Sequence, residues 1–123
     1  MTLNDLQDAT YINLETFRKN GTGVKTPLWQ TTEGNTMYVW TAAGSWKVKR
    51  IRNNPDVRLC ESDAQGNPKG EWIAAKAEVL ESAAAEVEQR KRMAAKYKLF
   101  FQVFRVLALS RRTEHTVIAI KDV

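Results

Sequence analysis

The sequence predicts a single domain in the mainly β with α (α+β) class, an antiparallel barrel with inserted helices. Three observations point there. Short runs rich in β-branched and aromatic residues follow one another, separated by Gly, Asn and Pro turn signals. The strand–helix–strand alternation of a parallel sheet is missing. The 123 residues suffice for one hydrophobic core but not for two, so residues 1–123 form one domain.

In order, residues 3–9 read as a short opening helix. The run YINLETFRK, 11–19, alternates as a strand with Ile12, Leu14 and Thr16 on one side and Phe17 on the other. NGTG, 20–23, supplies the glycines that a tight hairpin needs. VKTPLWQTT, 24–32, returns as the second strand; Pro27 cannot donate a ladder bond, which demands an edge or a bulge there. TMYVWTA, 36–42, is the third strand. Ser45 is an N-cap for a helix over 46–53, with Val48 and Ile51 as its buried stripe, and Asn54-Pro55 stops it. DVRLCES, 56–62, is a fourth strand, 63–70 a loop and 71–81 a fifth, bent strand. Ser82 caps a helix running to about residue 110. Its second half, Phe100 to Leu109, is apolar nearly all round and reads as core or an oligomer interface. HTVIAIKDV closes the chain as a final strand.

Several chemistries are poorly supplied. Cys60 is the only cysteine and His115 the only histidine, so an internal disulfide, a thiolate cluster and a two-histidine zinc motif are all excluded. Neither Ser45, Ser62, Ser82 nor Ser110 lies in a nucleophile elbow. An enzyme built on this chain would leave the reaction to a cofactor. No apolar run is long enough to span a membrane and the first residues are acidic, so a cytoplasmic location is expected.

One segment concentrates charge. TAAGSWKVKRIRNNPDV packs Lys47, Lys49, Arg50 and Arg52 immediately after Ser45, in a chain whose net charge is +5. A helix N-terminus offers unpaired amides and a partial positive charge, and here a hydroxyl and the Lys47–Arg50 face stand beside it. Donors that converge on a point suit a phosphorylated ligand; a solvated basic helix is the alternative reading. Nucleic acid is not expected, because acids are interspersed through the remainder and the cations do not form a stripe.

The ordered set of a Thr-Pro-x-Trp strand, YVWT, Ser-x-Lys-x-x-Arg, NNPDVRL and the closing RTEHTVIAI resembles the pyridoxamine 5'-phosphate oxidase-like split β-barrel flavoproteins. Within them it is most similar to the branch that uses the deazaflavin coenzyme F420. That resemblance implies an FMN-binding split barrel-like fold and a homodimer with a cofactor at each subunit junction. It also implies hydride transfer between reduced F420 and a small conjugated acceptor. FMN is the alternative cofactor, and a non-catalytic cofactor- or tetrapyrrole-binding protein the alternative function. By the same resemblance Thr26, Pro27 and Trp29 border the ring system, while Thr41, Ser45, Lys47 and Arg50 take the phosphate side. Lys49 and Arg52 meet the acidic tail of the deazaflavin. Trp72 either reaches the neighbouring subunit's site or is a core aromatic. The family commonly has glycine after the serine, where this chain has Trp46, which either projects away from the site or covers part of it.

Overall fold

The computed structural model describes the backbone of residues 2–111 and 115–123, and the side chains of residues 2–97 and 115–123. A short 3-10 turn, Leu3–Leu6, precedes β1 (Tyr11–Phe17), β2 (Gly23–Glu33), β3 (Thr36–Ala42), α1 (Trp46–Asn53), β4 (Asp56–Ser62), β5 (Ile73–Leu80), α2 (Ala83–Arg111) and β6 (His115–Asp122). The opening helix expected over 3–9 is thus a single tight turn, held by the Asp5 carboxylate accepting from the Thr2 amide at 2.7 Å. The apolar run from Phe100 to Leu109 lies outside the described side chains.

The strands close into a barrel in the order β1-β2-β3-β6-β5-β4, with every pair antiparallel. Alternation places Ile12, Leu14, Met37, Val39, Leu59, Ile118 and Ile120 inside, all essentially inaccessible to water. Val48 and Ile51 join this core from α1, which packs against β1 and β5. A three-residue spacing is what lets a two-turn helix insert one apolar edge and keep its cations outside.

The barrel is split between β2 and β3. These strands pair only from Gln30 opposite Val39 to Glu33 opposite Thr36, so Gly23–Trp29 has a neighbour on one side, β1. Pro27 falls in that one-sided stretch, the edge its missing amide requires. β1 is buried on both faces instead of one. Its outer residues Asn13 and Glu15 are each covered by a neighbour: Asn13 Nδ2 donates to the Gly66 carbonyl of the 63–70 loop at 2.7 Å, and Arg58 of β4 donates to Glu15 at 2.6 Å. Asp63 shapes this loop by accepting from the Gln65 and Asn67 amides, each at 2.9 Å. Those bonds favour its carboxylate form and lower its pKa, the Asn67 side-chain bond most.

A second, smaller core lies beneath α2. Met93 and Tyr97 pack with Trp29 and Trp40, and Trp29 stacks on Tyr97 at 4.8 Å between centroids. The Lys96 ammonium donates to the carbonyls of Gln7, Ala9 and Gln30 at 3.0, 2.6 and 3.1 Å. The fully buried Gln30 amide donates to the Leu6, Gln7 and Ala9 carbonyls. One polar knot therefore ties the N-terminal segment, β2 and α2 together. Ser82 caps α2 as expected, accepting from the Ala85 amide at 3.0 Å.

Candidate functional site

β3 ends at Ala42, and a turn closed by the Ser45 amide on the Ala42 carbonyl at 3.1 Å brings the chain to α1. Ser45 occupies the N-cap position with extended backbone, φ −70° and ψ 155°. Its hydroxyl does not cap, however. Ser45 Oγ is buried and finds no partner among the described residues. The first-turn amides, which no helix can satisfy internally, receive no side-chain cap from Ser45. A hydroxyl and amides of this kind can donate to an anion.

Cations lie along the same helix and at the end of β1 that faces it. Lys47 is half-buried, and its pKa is lowered first by burial and then by the charge of Arg50. Arg50 is lowered in the same way, by burial and then by Arg18 at the end of β1. Among the described residues none of Arg18, Lys19, Lys47, Lys49 and Arg50 is paired with a carboxylate. Like charges gathered without counter-charges weaken one another's protonation, and an arriving anion reverses that effect. Arg50 is nevertheless held in place: its Nε donates to Thr16 Oγ1 of β1 at 2.7 Å. A groove of about 430 Å³ opens beside it, between the end of β1 (Phe17, Arg18, Lys19) and the outer side of α1 (Trp46, Lys49, Arg50).

Lys47 lies near enough to Arg50 to feel its charge, Lys49 and Arg50 line the groove with Trp46, and Ser45 stands at the N-cap of the same helix. Thr41 is buried on β3 opposite Thr116, at the strand end that leads to α1. Arg52 points elsewhere and pairs with Glu81. Thr26 and Pro27 lie on the one-sided part of β2, opposite Leu14 and Asn13. Trp29 is engaged with Tyr97 and Tyr11. Trp72 lies on the outer face of the barrel, with Lys25 and Arg58 each 5.3 Å from its ring centroid. Trp46 projects outward, 70% exposed, with the Lys49 ammonium 4.3 Å from its ring centroid. The sequence placed Thr16 only on a strand face and gave no site role to it, to Arg18 or to Lys19. The basic pair after an aromatic in TFRK is a local signal, but only barrel closure sets it against α1.

No protein-family model matches the chain, and no curated protein matches it. Solved structures do. HutZ, the heme storage protein of Vibrio cholerae, is 11% identical with a TM-score of 0.71, over 98% of this chain and 87% of that one. A FAD-binding protein of Mesorhizobium loti is 18% identical with a TM-score of 0.64, over 98% and 86%. A Clostridium acetobutylicum protein of the pyridoxinephosphate oxidase family, related to general stress protein 26, is 14% identical with a TM-score of 0.65, over 98% and 80%. The fold is the split barrel of the pyridoxamine 5'-phosphate oxidase-like proteins. Identities this low establish the fold alone. Among the described residues no helix is long and apolar enough to cross a membrane.

Proposed function

We propose that this chain is a flavin-dependent oxidoreductase that binds the phosphate of its coenzyme at the N-terminus of α1. One observation carries the reading: among the described residues the buried Ser45 hydroxyl has no partner and does not cap the first turn of a helix whose Lys47 and Arg50 have no carboxylate partner. Ser45, Lys47, Arg50 and the first-turn amides would hold the phosphate: the lysine, the arginine and the amides only donate, and the hydroxyl can donate as well, which fits a dianion. Structural neighbours include a FAD-binding protein and a member of the pyridoxinephosphate oxidase family, which supports a flavin. When bound, the isoalloxazine supplies the hydride chemistry for a small conjugated acceptor. The protein's own part is positioning, which by itself removes a large share of a bimolecular barrier. The proposal includes a homodimer, the assembly that the family resemblance implies.

The test is a titration with FMN beside riboflavin, which lacks the phosphate, at fixed ionic strength. FMN is expected to bind at least about tenfold tighter, the effect of one charged hydrogen bond. Equal affinities would remove the phosphate from this corner. A second reading, the deazaflavin F420, is favoured by one feature: Arg18, Lys19 and Lys49 are cations beyond what a single phosphate uses. Turnover with each reduced coenzyme separates the two, and turnover with neither points to a non-catalytic binding protein.

A further inference from the structure

The groove beside the proposed phosphate corner is not lined by charge alone. Phe17 and Trp46 form apolar walls between Arg18 and Lys19 on one side and Lys49 on the other. Trp46 is the most exposed large aromatic of the described residues, at 70%, and lies outside the buried core. Exposing an indole to water is unfavourable, and a face already flanked by a lysine is suited to a π-system that also carries negative charge. A flexible carboxylate tail has no use for these walls. A volume of about 430 Å³ lies in the range of pockets for one small ligand, about 300–1,000 Å³, and is no extended track for a polymer.

We infer that this groove is a subsite for the adenylate half of a flavin adenine dinucleotide, the adenine stacking on Trp46 and the second phosphate meeting Lys49 and Arg18. The inference rests on the proposed reading that the first phosphate lies at Ser45, Lys47 and Arg50. It makes the coenzyme a dinucleotide, selected over FMN by residues that FMN does not reach.

The decisive experiment titrates the purified full chain and its Trp46→Ala variant with FMN and with FAD. Trp46 is exposed, so the variant keeps the fold, which an unchanged Tm verifies. The wild type is expected to bind FAD at least about fivefold tighter than FMN, the low end of what one base stacked on an aromatic contributes. Trp46→Ala should abolish that preference and leave the FMN Kd unchanged. Lys49→Ala should reduce the preference in a salt-dependent way. FMN binding with no gain for FAD overturns the subsite and leaves the phosphate corner standing, as does a Trp46→Ala loss equal for both ligands. Failure to bind either overturns the phosphate reading and the subsite together. Tighter binding of a short single-stranded oligonucleotide than of FAD, lost in Trp46→Ala, assigns the groove to nucleic acid and overturns the subsite.

Discussion

Replacing Arg50 with alanine separates binding from stability. Arg50 is joined to the barrel by one bond, Nε to Thr16 Oγ1 at 2.7 Å, and has no carboxylate partner among the described residues. Its neighbours Arg18 and Lys47 are cations, so removing it discards one hydrogen bond, worth about 1 kcal/mol, and relieves a like-charge cluster. The unfolding free energy should therefore change by less than about 1 kcal/mol. Phosphate affinity should change far more. A hydrogen bond to a charged group contributes about 1.5–3 kcal/mol, or roughly 10- to 140-fold in Kd. The assay is a fluorescence titration of FMN into both proteins at one ionic strength, with urea denaturation of each alongside. Thr16→Val keeps the charge and removes its anchor, so it should fall between wild type and Arg50→Ala. An Arg50→Ala protein that binds FMN like the wild type, or that loses several kcal/mol of stability, refutes the assignment and returns Arg50 to the structural framework.

Three other outcomes follow from packing and titration. A methyl at Gly23 would overlap the carboxylate of Glu15, itself buried and ion-paired with Arg58, so Gly23→Ala should cost about 1–3 kcal/mol in urea denaturation. Leu59 is fully buried in the barrel core, and Leu59→Ala should cost about 2–5 kcal/mol in the same assay. Burial pulls the Lys96 ammonium down to about 8, so between that pH and its ordinary 10.5 the unfolded chain binds more protons than the folded one. Stability then rises with pH across this window. Lys96→Met should lack the rise, and parallel stability curves from pH 8 to 10 would contradict it.

The order and nature of the elements were legible because each rests on local chemistry. Alternation in Tyr11–Phe17, the glycines of the first turn, the Val48–Ile51 spacing and the Asn54-Pro55 stop all act within a few residues. Pro27 even announced the one-sided strand where the barrel splits. What the sequence concealed depends on partners far along the chain. Gln30 is a polar residue within the second strand, yet it is fully buried because three carbonyls of the N-terminal segment accept from its amide. Ser45 reads as a side-chain cap, whereas its hydroxyl makes no cap hydrogen bond. Lys49 and Arg52 look alike on α1, yet Glu81 after β5 engages only the second. Arg18 and Lys19 joined the site through barrel closure, which no local pattern encodes.

A crystal structure of the full chain grown with FMN tests the central claim most directly. The phosphate is expected on the first-turn amides of α1, accepting from Ser45 Oγ and from the Arg50 guanidinium. A flavin whose phosphate lies elsewhere, with Ser45 Oγ still unpartnered, would contradict it.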